Sequence, residues 1–209
     1  MKLFDTENWS RNKQYEFFMG YDDPSFGITA NVDVTELVHY CKKNALSFFL
    51  ASLYCSTKAL NQVENLRLRL KDDQVYLFDN IEAGSTIFKE DNTFTFAYFE
   101  SKDTIAEFCK SGKQKIAGYK ENEDFDANRD RLDIIYYSVI PWVNFTAIKH
   151  PKRDDPSFSI PKIIFGKYAD QNDRILMPVS IEAHHALLDG YHIGLYFDAF
   201  RNEIENLSS

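Results

Sequence analysis

The segment 175–192, ILMPVSIEAHHALLDGYH, joins a run of strand-forming residues to the start of a helix. Its first ten residues are mostly apolar or β-branched and have the length of a buried strand. After Asp189 and Gly190, apolar residues recur at steps of four, three, four and three, which is the period of an amphipathic helix: Ile193, Phe197, Phe200, Ile204 and Leu207. The segment therefore predicts a strand that ends at His184 and a helix that begins near Asp189.

The rest of the chain mixes strand and helix patterns. Residues 26–32 alternate between apolar and polar side chains, as in a half-buried strand. Helices are predicted from a capping box at Asp33 to about Lys43, from Ser47 onward, and after Ser101. The other predicted strands are residues 66–70 and 75–78 in one hairpin, 86–88 and 94–99 in a second, and 134–140 and 163–168. Hairpins without a regular alternation of strand and helix predict one α+β domain over residues 1–209, with helices covering a sheet.

Composition narrows the classes of protein. The chain has 209 residues, a net charge of −8 and 15% aromatic residues. So many rings argue against a disordered chain, and the acidic balance argues against a broad nucleic-acid-binding surface. Three cysteines without a CxxC pair suggest neither a disulfide framework nor a zinc knuckle, and no apolar stretch is long enough for a signal sequence or a membrane span. The sequence therefore predicts a reduced, soluble, cytoplasmic protein.

The histidines indicate a candidate site. Three of the five in the chain lie between residues 184 and 192, at the predicted junction of strand and helix. His185 suits a general base, because the ordinary pKa of imidazole lies near neutral pH. Asp189 lies near a helix N-terminus, where a carboxylate is stabilised. Zinc ligation is disfavoured, because neighbouring side chains of an extended segment point to opposite sides. Ordinary core or surface histidines remain an equal alternative on spacing alone.

Four blocks of sequence carry a resemblance to a known family. His184-His185-Ala186, followed by Asp189-Gly190-Tyr191-His192 and an amphipathic helix, resembles the signature of the chloramphenicol acetyltransferase family. Three further blocks are similar to that family in the same order: residues 8–11, 138–145 and 166–179. The His-x-x-x-Asp-Gly core is also shared with dihydrolipoamide acyltransferases, but the length and the missing lipoyl domain favour the chloramphenicol branch. The resemblance implies a two-layer sandwich, a mixed sheet covered by helices, of the CoA-dependent acyltransferase type.

The resemblance also implies a mechanism and its residues. His185 would be the general base, Ser138 would donate a hydrogen bond to the oxyanion, and Arg11 would form a buried bidentate pair with Asp189. Acetyl-CoA would be the co-substrate, with no metal, and the chain would form a homotrimer with its active sites between subunits. The implied CoA-binding residues are Trp142, Lys167 and Tyr168, and the implied acceptor-binding residues are Phe18, Phe26, Ile148 and Ile164.

The sequence departs from the family pattern mainly around the acceptor. Compared with the family, Ile164 replaces a threonine, Pro24 a cysteine and Phe18 a tyrosine, while His150 and Lys152 stand where the pocket is usually apolar. Ser47 replaces a lysine near the CoA phosphates. The main hypothesis is acetylation of chloramphenicol. Its alternatives are the same chemistry on another small hydroxylated acceptor, a non-catalytic small-molecule-binding oligomer and, more distantly, dihydrolipoamide acyltransfer.

Overall fold

The structure is a computed structural model that describes residues 1–121, 125, 130–151, 155 and 157–208. Its strands are β1 (Lys2–Leu3), β2 (Ser25–Asp33), β3 (Leu68–Lys71), β4 (Gln74–Leu77), β5 (Glu82–Phe88), β6 (Phe94–Phe99), β7 (Ile134–Ile140), β8 (Lys162–Gly166), β9 (Ala169–Gln171) and β10 (Arg174–His184). Its helices are α1 (Asn12–Met19), α2 (Thr35–Lys43), α3 (Phe48–Asn61), α4 (Ile105–Glu121) and α5 (Gly190–Glu205). Two short 3-10 helices span Glu64–Arg67 and Asn206–Ser208.

The larger sheet is mixed. Its strands lie in the order β2-β10-β8-β7-β5-β6, and β9 pairs with one end of β10. The pairs β5–β7 and β7–β8 are parallel, whereas β10 is antiparallel to β2, β8 and β9, and β5 is antiparallel to β6. These pairings confirm the predicted mixed sheet and the hairpin of residues 86–88 and 94–99.

Helices cover one face of this sheet. Alternate residues of the strands, such as Ile28, Val179 and Phe165, pack in one apolar cluster with residues of α2, α3, α4 and α5. The predicted period of the last helix is confirmed, since Ile193, Phe197, Phe200 and Ile204 are all buried. Each such buried side chain contributes about 1.5–3 kcal/mol relative to exposure. This cluster makes β10 and β7 rigid supports for the residues at their ends.

The strand residues between those core positions point to the opposite face, because successive side chains of a strand alternate. Thr29, Ser180, Ile164 and Ser138 are paired in register across β2, β10, β8 and β7. The hydroxyl of Thr29 donates to that of Ser180 over 3.0 Å. Ser138 therefore lies on the face opposite the helices.

A second sheet of three strands, in the order β1-β4-β3, contains the other predicted hairpin. It packs with α1 in a separate apolar cluster that also includes Leu187 of the segment between β10 and α5. The sequence analysis did not identify β1 or α1, which are short and carry no buried stripe of their own. Together they hold the N-terminal region against residues 185–188.

Several local features differ from what the sequence pattern suggests. Arg69 alternates with Leu68 and Leu70 in the hairpin, but it is fully buried and donates to four backbone carbonyls, those of Leu66, Leu68, Leu132 and Ile134. Burial lowers the pKa of Arg69 to about 9. The N-cap of α2 is Val34 rather than Asp33, whose carboxylate instead accepts from the amide and hydroxyl of Thr35. The strand predicted over residues 163–168 ends at Gly166.

Within the described residues, no helix is long and apolar enough to cross a membrane. Cys41, Cys55 and Cys109 are free and buried. Burial raises the pKa of all three thiols, that of Cys41 to about 11. Their sulfur atoms are therefore held in the unreactive thiol form.

Candidate active site

His185 directly follows the end of β10 and is held in place by aromatic rings. Its backbone amide donates to the carbonyl of Pro24 over 2.7 Å. Phe18 of α1 stacks on the imidazole at 3.9 Å between ring centroids and 8° between planes, and Phe26 of β2 lies at 4.1 Å and 29° on a stacked geometry. The Nδ1 atom is buried and has no hydrogen-bond partner among the described residues. Stacking, rather than a hydrogen bond to Nδ1, therefore fixes the plane of this ring.

Arg11 and Asp189 form the predicted ion pair, with a different geometry. Both the Nε and Nη2 atoms of Arg11 contact the same oxygen, Oδ2 of Asp189, over 3.3 and 3.2 Å. The pair is not fully buried, because the Asp189 side chain is 36% exposed while that of Arg11 is 11% exposed. Two guanidinium nitrogens thus hold the carboxylate, as the predicted bidentate pair requires, but the predicted burial of the pair is wrong, and Oδ1 has other partners.

Those other partners belong to the start of α5. Asp189 is the N-cap of this helix, and its Oδ1 accepts from the amide of Tyr191 over 3.0 Å. The Nδ1 atom of His192 lies 3.0 Å from Oδ1 and 3.2 Å from the Asp189 amide, closing a capping box. Nδ1 donates to the carboxylate when it is protonated and accepts from the amide when it is not. The sequence analysis missed His192 in this role, although its position three residues after the N-cap is the capping-box spacing.

The contacts of the Asp189 carboxylate with Arg11 and His192 shift the pKa of Asp189, and its contact with His192 shifts that of His192. Burial raises the pKa of Asp189, but His192 and Arg11 lower it by more, so the pKa lies below the usual value of the carboxyl group. Burial lowers the pKa of His192, against the opposing pull of Asp189. At neutral pH Asp189 is therefore ionised and His192 is neutral.

The backbone between His185 and Asp189 is held from outside the motif. Arg11 donates from Nη1 to the carbonyl of Ala186 over 3.2 Å and from Nη2 to that of His185 over 3.5 Å. Asn65 donates from Nδ2 to the carbonyl of Leu187 over 2.7 Å. The sequence gives no signal for Asn65, which is 122 positions away from its partner. We call His185, Phe18, Phe26, Arg11 and Asp189 the histidine corner.

Ser138 lies in the middle of β7, on the wall of a large cavity. The cavity has a volume of about 1260 Å³ and also exposes Trp142 and His150. Half of its other lining residues are aromatic, including Phe88, Phe94, Phe96, Phe125, Tyr136 and Phe158. We call this space, lined by Ser138, Trp142, His150 and these rings, the serine cavity. Its aromatic walls suit a flat apolar ligand.

The structure does not bring Ser138 and His185 of one chain together. Ser138 pairs with Ile164, which pairs with Ser180, and His185 lies five residues beyond Ser180 along the chain. Five residues of strand span about 17 Å and two strand spacings about 10 Å, so these two residues are about 20 Å apart. A small substrate cannot touch both residues within one chain.

The three residues predicted to bind CoA lie after the carboxyl ends of the parallel strands β7 and β8. The Lys167 amide donates to the carbonyl of Val143, and the Asn144 side chain donates to the carbonyl of Lys167, each over 2.9 Å. Trp142 is 63% exposed and packs edge-on against Phe88. Tyr168 packs edge-on against Phe48, next to Ser47, which caps α3. These exposed side chains thus share one edge of the sheet.

Two of the four residues predicted to bind the acceptor lie at the histidine corner, and the other two do not line the serine cavity. Phe18 and Phe26 lie at the histidine corner, whereas Ile164 is Ser138's neighbour in register on β8. Ile148 is half-buried in the segment after β7 and does not line the serine cavity. Of the residues that depart from the family pattern, Pro24 contacts the His185 amide and His150 lines the serine cavity. Lys152 lies outside the described residues.

Among the described residues, no cluster of three or more His, Cys, Asp or Glu side chains could hold a metal ion. His184 points away from His185, because the two are neighbours across the end of a strand. Its Nδ1 atom accepts from the amide of Ala186 over 3.3 Å, within the same turn.

The mixed sheet and its covering helices have the fold of the CoA-dependent acyltransferases. A solved structure titled as a probable dihydrolipoamide acetyltransferase from Listeria monocytogenes has a TM-score of 0.68, at 13% identity over 99% of this chain and 94% of the other. That identity shows the shared fold alone.

The chain belongs to the chloramphenicol acetyltransferase family, which it matches over residues 1–201. It is 30% identical to a chloramphenicol acetyltransferase of Clostridium perfringens over 99% of this chain and 94% of the relative. A chloramphenicol acetyltransferase of Proteus mirabilis is 29% identical over 92% of this chain and 89% of the relative. A solved chloramphenicol acetyltransferase has a TM-score of 0.91, at 26% identity over 97% of this chain and 99% of the other. The family resemblance expected from the four sequence blocks is thus confirmed, and with it the class of enzyme.

Proposed function

We propose that the protein transfers the acetyl group of acetyl-CoA to a hydroxyl group of chloramphenicol. The observation that carries this proposal is the histidine corner. His185 is clamped between Phe18 and Phe26, and the turn that follows it is tied to Arg11 and Asp189. A general base needs such fixed geometry, because proton transfer occurs only within hydrogen-bond reach. The names of the family and of its relatives supply the acceptor.

The proposed reaction is a direct attack without an acyl-enzyme. His185 takes the proton of the acceptor hydroxyl while the hydroxyl oxygen bonds to the thioester carbon. The carbonyl oxygen becomes an oxyanion, which accepts a hydrogen bond from Ser138. The carbon–sulfur bond then breaks, and the CoA sulfur takes the proton that His185 carries. All bonds and protons of this reaction are accounted for without an oxidant or a metal.

We propose that His185 of one subunit works with Ser138 of another subunit in a homotrimer. The separation of about 20 Å within one chain supports this arrangement, since both residues must reach the same carbonyl. The wide serine cavity supports it as well, because this face of the sheet is open enough to receive a second copy. One chain therefore supplies the base, and its neighbour supplies the oxyanion donor.

Mixing two inactive variants tests this shared site. His185→Ala and Ser138→Ala chains are co-expressed, and light scattering gives the number of subunits in the purified oligomer. Random assembly into cyclic oligomers leaves about a quarter of the sites with both residues intact, so we expect about a quarter of wild-type activity. The two variants expressed separately are the controls. A mixed oligomer without recovered activity would show that each site lies within one chain.

For the co-substrate, we propose that Trp142, Lys167 and Tyr168 bind CoA. Their shared edge supports this, and Lys167 is an exposed cation suited to a phosphate. Lys167→Met should raise the KM for acetyl-CoA without changing the KM for the acceptor. Lys149→Met, which removes an exposed cation elsewhere, is the matched control. Equal KM values for both variants would remove Lys167 from the CoA site.

The thiol-release assay separates the remaining hypotheses. The protein with acetyl-CoA and chloramphenicol should release free CoA thiol. Release with other small alcohols but not with chloramphenicol would favour a different acceptor, for which His150 in the serine cavity is the supporting observation. Binding of acetyl-CoA without release for any acceptor would favour a non-catalytic oligomer.

We further propose that residues 1–209 form one domain. We also propose that the protein lies in the cytoplasm, which is consistent with its three free thiols.

A further inference from the structure

The serine cavity contains one side chain that its aromatic walls do not explain. The imidazole of His150 is half-buried on the wall that also carries Ser138. The backbone amide of His150 donates to Oε1 of Glu182 over 3.2 Å, so the chain is anchored there. The ring nitrogens, in contrast, have no hydrogen-bond partner among the described residues. Two polar ring atoms are therefore available to a ligand in a cavity whose other walls are mostly apolar.

Two described residues of opposite charge, Lys162 and Glu182, act on this imidazole. Lys162 is paired in register with Glu182 across β8 and β10, and both act on His150. The Nζ atom of Lys162 donates to the carbonyl of Pro151 over 2.9 Å and lies 5.4 Å from the centre of the Phe158 ring. Burial and Lys162 lower the pKa of His150, against the pull of Glu182. At neutral pH the ring is therefore a neutral group that can donate one hydrogen bond and accept another.

We propose that His150 determines acceptor specificity by hydrogen bonding to a neutral polar group of an aromatic alcohol. This inference rests on the proposed function, because it places the acceptor in the serine cavity. The rings Phe88, Phe96 and Tyr136 offer stacking surfaces for the aromatic part. His150 supplies a directional contact, and a site built around a hydrogen bond discriminates against ligands that lack the partner group. A carboxylate on the ligand would be repelled by the nearby carboxylate of Glu182. A neutral amide or hydroxyl group on the ligand would not be repelled.

Matched ligands and variants test the proposal. The ligands are N-acyl-2-amino-1-phenylpropane-1,3-diols that carry an isopropyl, a carboxamide or a carboxylate group of equal size. One series carries this group on the phenyl ring, and the other carries it at the end of the acyl chain. Binding is followed by the fluorescence of Trp142, with the change assigned to it by comparison with a Trp9→Phe variant. Turnover is followed separately by thiol release from acetyl-CoA.

In at least one series, the wild-type protein should bind the carboxamide about tenfold more tightly than the isopropyl or the carboxylate compound. His150→Leu should abolish this preference, and His150→Asn, which keeps a donor and an acceptor, should retain most of it. Lys149→Leu, an exposed neighbour, should behave as the wild type. Melting temperatures establish that each variant is folded.

The outcomes separate the inference from the proposed function. A carboxamide preference that His150→Leu removes supports the inference even if no compound releases thiol, in which case only the proposed function fails. Thiol release without the preference, or with a preference that persists in His150→Leu, overturns the inference and leaves the proposed function intact. Tightest binding of the carboxylate, or binding of no compound in either series, also overturns the inference.

Discussion

The histidine corner and the serine cavity are built in opposite ways. At the histidine corner, ring stacking, an ion pair and three side-chain hydrogen bonds to the backbone fix one imidazole. In the serine cavity, Ser138 sits on a wide aromatic surface, and His150 makes no hydrogen bond from its ring to any described residue. A proton transfer needs one fixed geometry, whereas acceptor recognition depends on the shape and polarity of a pocket. We infer that the histidine corner fixes the general base, whereas the serine cavity supplies the oxyanion donor and determines which acceptor binds.

Removal of the proposed general base, His185, should have the largest effect on turnover and tests whether the histidine corner carries the chemistry. His185→Ala should lower the rate of thiol release by about 10²–10⁴-fold, because the acceptor hydroxyl then loses its proton acceptor. Steady-state assays with saturating acetyl-CoA measure the effect. His39→Ala, which removes an exposed histidine of α2, should leave the rate unchanged. A His185→Ala variant with near-normal turnover would move the chemistry away from the histidine corner.

Removing the oxyanion donor should have the next largest effect. Ser138→Ala should lower kcat by about 10²–10³-fold, because one hydrogen bond to the developing negative charge is lost. The KM for the acceptor should change little, since that hydrogen bond strengthens in the transition state. Thr86→Val, which removes another hydroxyl from the same cavity, is the matched control. A Ser138→Ala effect confined to KM would assign Ser138 to acceptor binding instead.

The brace of the histidine corner should matter for both folding and rate. Arg11→Ala removes one of the partners of Asp189 and the donor to two carbonyls, so it should lower the free energy of unfolding by about 1–3 kcal/mol. Turnover should fall as well, because the backbone beside His185 loses its support. Urea denaturation and thiol release measure the two effects at one fixed protein concentration.

The control for this variant is an exposed ion pair of the same type. Arg201 pairs with Asp198 on α5, with both side chains more than half exposed. Arg201→Ala should therefore cost less than about 1 kcal/mol and leave turnover intact. If Arg11→Ala behaved like Arg201→Ala in both measurements, Arg11 would be no more than a surface cation.

The two regions also differ in how far the sequence predicts them. The strand into His184, the start of a helix near Asp189 and the apolar stripe of that helix follow from local periodicity, and the structure has all three. Asn65 and the buried Arg69 could not be predicted in this way, because their partners are backbone carbonyls that only the tertiary fold brings near. A polar residue in an alternating pattern looks exposed until its partners are known.

The site, too, could not be predicted from the sequence where its contacts depend on the tertiary fold. The resemblance paired Arg11 with Asp189, and the pair is present, but the second carboxylate oxygen is used by α5 itself. For the serine cavity, sequence comparison marked His150 as a departure without placing it. Its position relative to Ser138, Lys162 and Glu182 depends on the register of β8 and β10 and on the course of the segment after β7.

The smallest expected effect is the pH dependence that His192 gives to the histidine corner. Its pKa is lowered in the folded protein from the usual 6.5, so the unfolded chain binds a proton at higher pH than the folded chain. The corresponding stability is fully present above about pH 6.5 and is lost as the pH falls from there through the folded pKa. The lowered pKa of Asp189 acts in the same direction, but only below about pH 4.

His192→Asn keeps a side chain that can complete the capping box but removes the titrating group. Its free energy of unfolding should therefore fall less steeply than that of the wild type between about pH 7.5 and pH 5. Urea denaturation across this range, at constant protein concentration, measures both slopes. The contribution of His150, whose pKa is also lowered, is common to both proteins and cancels in the difference. Parallel curves would mean that His192 has the same proton affinity folded and unfolded, and that the histidine corner is not coupled to pH through the start of α5.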